Sequence, residues 1–136
     1  MDYGKKNNFK NKSFRNSSER SDLKDERHGN LIFKRNKIYT FSKDKLQWYG
    51  EKIIKYDTGY LREFEAKRSK IGAAIKKGFR FNLMDKNILY LGSSSGTTIS
   101  HLSDLTNKEI IGVDIGPIVM REFSLLAEKR DNVIPL

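Results

Sequence analysis

Residues 87–114, NILYLGSSSGTTISHLSDLTNKEIIGVD, limit what this chain can fold into more than any other stretch. Ile88-Leu89-Tyr90-Leu91 is a short apolar run bounded by polar positions, which predicts a buried strand. Gly92-Ser93-Ser94-Ser95-Gly96 breaks the run with small residues, and Thr97-Thr98 are placed to cap a helix. Ile99, Leu102 and Leu105 recur at helical spacing and predict one apolar stripe. Ile110-Ile111-Gly112-Val113 predicts a second buried strand ending on Asp114. Strand, glycine loop, helix, strand and carboxylate, in that order, form the front half of a doubly wound nucleotide-binding sheet. The acid follows Gly92 by roughly 20 residues, the interval at which ribose-binding carboxylates follow such loops.

Downstream, Gly116-Pro117 opens another helix with proline in its first turn, and Val119, Met120, Phe123, Leu126 and Ala127 form its core stripe. Residues 132–136 begin a third strand. Doubly wound sheets usually have about five or more strands and bind ligands at the carboxyl ends of several. Three strands therefore read as an incomplete sheet, in a fragment or in a chain that a second chain completes. Upstream, Leu31-Ile32-Phe33, residues 37–41 and residues 51–56 predict short strands, with Asp57-Thr58-Gly59 as a hairpin turn. Residues 28–60 thus read as a small antiparallel β-module, in which Trp48 and Tyr49 belong to a buried aromatic cluster or to a partner surface. A helix is expected over residues 61–77, with Phe64, Ile71, Ala74 and Ile75 inward, Lys67, Lys70 and Lys77 outward, and Gly78 as its stop. Residues 61–136 make up the α/β unit.

Residues 1–27 carry Leu23 as their sole large aliphatic side chain and are expected to be a disordered basic tail. Its first half interleaves Lys5, Lys6, Lys10, Lys12 and Arg15 with Tyr3, Phe9 and Phe14, which suits salt-sensitive RNA contact as well as a solubilising or targeting role. The whole chain holds 27 Lys+Arg against 17 Asp+Glu, a formal net charge of +10. That excess points to a polyanionic partner, nucleic acid first, although a biased genome also enriches Lys and Asn. The absence of cysteine excludes disulfides and thiolate metal sites, and no metal site is expected. No apolar run approaches the ~20 residues of a membrane span, and the N-terminus has no signal-peptide core, so a soluble, intracellular protein without a membrane partner is expected.

Taken together, YGEK (49–52), REF (62–64), RSKIGAAI (68–75), ILYLGSSSGTTISHLSD (88–104) and KRDNVIPL (129–136) resemble fibrillarin, the methyltransferase subunit of box C/D ribonucleoproteins. The resemblance runs from about His28 to Leu136 in the family's order. It implies an incomplete Rossmann-like sheet of the S-adenosyl-L-methionine-dependent methyltransferase type, and methyl transfer to the ribose 2′-OH of rRNA. It places the cofactor contacts on Gly92, Gly96, Thr97, Thr98, Asp114 and Ile115, and the first lysine of the family's Lys-Asp-Lys-His catalytic set on Lys70. The other three catalytic residues belong to family segments beyond Leu136. It also implies a guide snoRNA and pre-rRNA as RNA partners, and a Nop-type scaffold protein docked on the β-module and sheet edge.

The chain departs from the family's pattern at several points. Asp114 replaces the usual Glu, Ser93 and Ser94 replace small alanines, and Phe64-Glu65-Ala66-Lys67 replaces a Trp-Asn-Pro-aromatic run. The basic tail, compared with the Gly/Arg-rich tail of eukaryotic members, implies a nuclear, nucleolar protein from a eukaryote with a biased genome. Two other readings stay open: a methyltransferase acting on a protein (such as a histone glutamine) or a small molecule, and a non-catalytic RNA- or scaffold-binding piece.

Overall fold

The computed structural model describes residues 25–136. Five antiparallel strands form the first sheet: β1 (Glu26–His28), β2 (Leu31–Lys34), β3 (Lys37–Ser42), β4 (Ile53–Tyr56) and β5 (Gly59–Glu63), in the order β1-β2-β3-β5-β4. A 3-10 turn (Ala66–Arg68) leads to α1 (Lys70–Lys76). The second sheet is parallel, with β6 (Ile88–Leu91), β7 (Ile110–Val113) and β8 (Val133–Pro135) side by side; α2 (Thr97–Leu105) and α3 (Pro117–Lys129) connect them. Leu89 pairs with Ile111 and Ile111 with Ile134, the in-register parallel ladder expected of a βαβαβ chain. No helix among the described residues is long and apolar enough to cross a membrane.

Several boundaries differ from expectation. Glu26 and Arg27 are strand residues paired with Phe33 and Ile32, because main-chain pairing along the β2 edge needs no aliphatic side chain. Residues 26 and 27, expected in the tail, thus belong to the sheet, and the RNA contact expected in the first half of the tail lies outside the described residues. Leu61–Glu63 extend β5 instead of starting a helix. Their amides pair with both β3 and β4, and Leu61 and Arg62 are fully buried on opposite faces of the sheet, which a strand allows and a surface helix does not. The helix consequently shrinks to α1. Gly78 still ends it, at φ 108° with its N–H bonded to the Ile75 carbonyl.

One core runs through both sheets. It joins Leu31 and Ile38 of the antiparallel sheet to Phe64, Ile75 of α1, Ile99, Leu102 and Leu105 of α2, Ile110 of β7, Phe123 and Leu126 of α3, and Val133 of β8. Ile99 and Phe123 both close on Gly112, where an added Cβ would lie 2.7 Å from the first and 2.5 Å from the second, so α2 and α3 cover the same face of β7. Among the described residues the opposite face is open: Leu89 is 64% and Leu91 75% exposed, although their run predicted a strand buried throughout. A doubly wound sheet carries helices on both faces, and both described connecting helices lie on one.

The clearest departure concerns α2. Residues 98–105 are all buried, although the sequence predicts a single apolar stripe. The parallel sheet and α3 cover the side carrying Ile99 and Leu102. The antiparallel sheet covers the side carrying Ser100, His101 and Asp104, so α2 is the filling between two layers.

Candidate functional site

The loop after β6 turns sharply, with φ of 81° at Gly92, 49° at Ser94 and 94° at Gly96, the left-handed region that glycine enters without penalty. The amides of Gly92 and Ser93 donate to the Val113 carbonyl at 2.8 and 2.9 Å, which hangs the loop on the end of β7. Asp114 reinforces the attachment: Oδ2 accepts from the Ser94 amide and Oδ1 from the Gly116 amide, each at 2.9 Å. These two amides hold the Asp114 carboxyl below the usual aspartate range, so it stays charged at neutral pH. Each carboxylate oxygen keeps acceptor capacity for a hydroxyl.

Gly96, and not a threonine side chain, is the N-cap of α2. A Cβ there would lie 3.0 Å from both Leu126 and Phe123, so the position combines a left-handed φ with a tight helix contact. Trp48 closes over the loop, with its indole N–H on the Ser95 carbonyl at 2.9 Å, which places it in the core side of the site and not on a free partner surface. Thr98, expected as a cap, donates its hydroxyl to Ser69 Oγ at 3.0 Å. Ser69 Oγ in turn caps α1, accepting the Gly72 amide at 3.2 Å. One buried hydroxyl pair thus ties the N-terminus of α1, where Lys70 sits, to the N-terminus of α2.

Between these termini lies an open cleft of about 380 Å³, lined by Lys70, Ser69, Arg68, Tyr90, Gly92, Thr97 and Thr98 among others. Of the residues singled out in sequence, Lys70, Gly92, Thr97 and Thr98 therefore meet. Gly96 and Asp114 shape the loop from behind, and the Ile115 side chain is fully exposed beyond it. The first amides of an α-helix have no intrahelical acceptor and carry the positive end of its dipole, so the start of α2 suits a carboxylate.

Behind the cleft is a polar cluster that periodicity does not reveal. Arg62, with a fully buried side chain, uses all five donors: Nε and Nη2 on Glu51 Oε2, Nη1 on the Ser100 carbonyl at 2.9 Å and Asp104 Oδ2 at 3.0 Å, and Nη2 also on Ser100 Oγ at 2.8 Å. Glu51 Oε1 also accepts the amides of Trp48 and Tyr49, at 2.7 and 2.9 Å. Thr40 spends its one hydroxyl proton on Asp104 Oδ2 at 2.6 Å, so His101 Nδ1, 2.8 Å from Thr40 Oγ1, is the donor of that contact. The Tyr49 hydroxyl lies 2.6 Å from His101 Nε2 and 3.1 Å from the Glu63 carbonyl, so its one proton has two acceptors within reach when the imidazole is neutral. Burial, and after it the charges of Arg62 and Arg130, push the His101 pKa well below the ordinary histidine value. Burial and the nearby Glu51 charge push the Tyr49 phenol upward, so it remains a donor. Phe64 stacks on the His101 ring at 4.2 Å, just before the 3-10 turn that leads into α1. Arg130 completes the cluster from the end of α3, bonded to Asp104, Ser103, Ser42 and Asp44.

The Fibrillarin family profile matches residues 26–136. This chain belongs to the fibrillarin family. Among its relatives, the fibrillarin-like rRNA/tRNA 2′-O-methyltransferase of Picrophilus torridus is 45% identical over 111 residues, covering 79% of this chain and 52% of the relative. The protein of that name from Saccharolobus islandicus is 48% identical over 92 residues, covering 65% of this chain and 40% of the relative. The chain thus spans about half the length of the curated relatives it matches. Aeropyrum pernix fibrillarin, solved with natively bound S-adenosyl-L-methionine, superimposes with a TM-score of 0.71 at 32% identity, over 84% of this chain and 55% of that one. A fibrillarin from a solved fibrillarin/Nop5p complex gives 0.68 at 37% identity, over 79% and 50%. The α/β architecture is therefore that of the fibrillarin methyltransferases, and the buried cluster is built largely on the YGEK, REF and SHLSD stretches of this chain.

Proposed function

We propose that this chain supplies the cofactor-binding portion, and one catalytic lysine, of an S-adenosyl-L-methionine-dependent RNA ribose 2′-O-methyltransferase. The observation that carries the reading is the joining of Lys70 to the α2 N-terminus through Ser69 and Thr98, in one cleft at the carboxyl end of β6. The residues fit the cofactor. The amides and hydroxyls of Thr97 and Thr98 would hold its carboxylate, Asp114 would accept from its ribose hydroxyls, and exposed Ile115 offers an apolar surface to its base. When bound, the cofactor supplies an electrophilic methyl group on a sulfonium. Lys70 would orient the acceptor hydroxyl or stabilise the negative charge developing on its oxygen.

The names and assemblies of the relatives support rRNA or tRNA as substrate class and a Nop-type scaffold as partner. Within this reading the protein works in a box C/D particle, where a guide snoRNA selects positions on pre-rRNA, and it resides in the nucleolus of the nucleus. Reconstitution of the protein with scaffold, guide and target RNA tests the proposal. Methylation at the guide-paired ribose, abolished by omitting either guide or scaffold, is expected. Site-specific methylation by the subunit alone, or activity insensitive to RNase, would overturn it. In the same assay Lys70→Ala is expected to lower kcat by about 100-fold or more, the usual loss when one charge-stabilising donor is removed, with little change in cofactor affinity. A fluorescent fusion that spreads evenly through the cytoplasm would count against the nucleolar assignment.

A further inference from the structure

The antiparallel sheet holds a second concave site, away from the cofactor loop. It is a groove of about 520 Å³ between the β2–β3 hairpin and the end of α1, lined by Lys34, Arg35, Asn36, Lys76, Arg80 and Glu26 together with Phe33 and Ile38. The hairpin tip is formed by Arg35 and Asn36 at φ 50° and 62°, a two-residue turn that carries both side chains to the rim. Arg80 is built in: its guanidinium lies 4.1 Å over the Phe33 ring, and Nη1 bonds the carbonyls of Ile75 and Phe79 at 2.8 and 2.9 Å. Three of its five donors are left for a ligand. Among the described residues, Arg35, Lys76 and Arg80 form no ion pair, and Lys34 has only a 3.9 Å contact to Asp25. Among the described lining residues the one acid is Glu26, which pairs with His28 at 2.6 Å and also feels the charge of Arg80.

From this geometry we infer that the groove is a phosphate-binding site for an RNA strand, a second RNA contact beyond the methyl-transfer cleft. A protein partner fits it less well, because its apolar lining is already covered: Ile38 is 4% exposed and Arg80 caps Phe33. Four cations with little apolar surface recognise backbone phosphate. Position supports the same ligand. Lys70, at the start of α1, lines the cofactor cleft and Lys76, at its end, lines the groove, so α1 spans the two sites over roughly 9 Å of helix axis. That is about three nucleotides at ~3.4 Å per stacked base. The inference draws this placement from the function proposed above, but its test needs no methyl transfer.

The experiment is fluorescence anisotropy of the full chain with a labelled RNA duplex and a labelled RNA single strand, across a series of potassium chloride concentrations. Lys34→Gln, Arg35→Gln and Lys76→Gln are combined in one variant that leaves packed Arg80 in place. A second variant changes Lys5, Lys6, Lys10 and Lys12 to Gln, so that tail and groove are read separately. The groove variant is expected to bind RNA at least about tenfold more weakly and to lose about two to three units of slope in log K against log salt, with an unchanged circular dichroism spectrum. Unchanged affinity and slope, or loss of RNA binding in the tail variant alone, would overturn the inference. So would tighter binding of a labelled polyglutamate than of RNA. In the reconstituted particle the groove variant is expected to raise KM for RNA while kcat holds. A particle that binds RNA through the groove yet transfers no methyl group would sink the proposed function and leave this inference standing.

Discussion

Ser69 is the residue on which the cleft turns. Its hydroxyl oxygen accepts both the Gly72 amide and the Thr98 hydroxyl, so Ser69→Ala removes a helix cap and strands a buried hydroxyl in one step. An N-cap serine is worth about 1 kcal/mol, and an unsatisfied buried hydroxyl adds roughly as much, so a loss of about 2 kcal/mol is expected in urea unfolding. Ser69→Thr, which keeps the oxygen, should recover most of it. His101 makes a second prediction. Its folded pKa lies below its unfolded value of about 6.5, because burial and two arginines oppose the charge. Below that pH the unfolded chain binds a proton that the folded chain refuses. The stabilisation is thus complete above pH ~6.5 and is lost as pH falls toward the folded pKa, with a limiting slope of about 1.4 kcal/mol per pH unit for one proton. Unfolding midpoints measured from neutral pH downward should show this slope, and His101→Gln should reduce it. An unchanged slope in the variant would assign the acid lability to other groups.

At the scale of elements, α2 is held by apolar contacts on one side and charge-assisted hydrogen bonds on the other. Arg62 carries the polar side, and removing one partner of a buried ion pair typically costs about 3–5 kcal/mol because the remaining charges lose their compensation. Arg62→Ala leaves Glu51 without a cationic partner and Asp104 with Arg130 alone, and thermal denaturation is expected to show a chain largely unfolded at about 37 °C. At the other end of the element, Gly96→Ala meets a left-handed φ worth about 1–2 kcal/mol and two side chains at 3.0 Å from the new Cβ. Differential scanning calorimetry should place it well below the native protein, whereas Ser95→Ala, one position earlier, should unfold close to it. The strand–loop–helix–strand order was legible because its signals are local: apolar runs, a small-residue loop, a helical stripe and a proline at the start of α3. The helix expected at Leu61 failed because Leu61 and Arg62 lie on opposite sheet faces and the apolar residues around them also fit a helical stripe. Only the pairing of β5 with β3 and β4 decides between the two.

For the molecule as a whole, the open face of the parallel sheet sets its behaviour in solution. Leu89 and Leu91 stand exposed side by side on β6, and an apolar patch of this kind promotes association. The 136-residue chain is expected to bind an apolar fluorescent dye and to self-associate in sedimentation velocity, and Leu89→Ser with Leu91→Ser should reduce both. The sequence by itself determined the local frame of the proposed cofactor site: the loop from Gly92 to Gly96, the Thr97-Thr98 helix start and Asp114 at the end of the next strand, with Lys70 singled out by family resemblance. These are encoded by neighbours in the chain, where turn chemistry and side-chain period act over a few residues. Tertiary structure alone decided that α2 is buried on all sides, that Thr98 serves Ser69 and not its own helix, and that His101 and Asp104 meet Thr40 and Arg62. The partners of those bonds lie as many as 64 positions apart. On a helix, Ser100, His101 and Asp104 form a polar face with the same sequence pattern whether water or an antiparallel sheet covers it, and only the packing of that sheet supplies the cover.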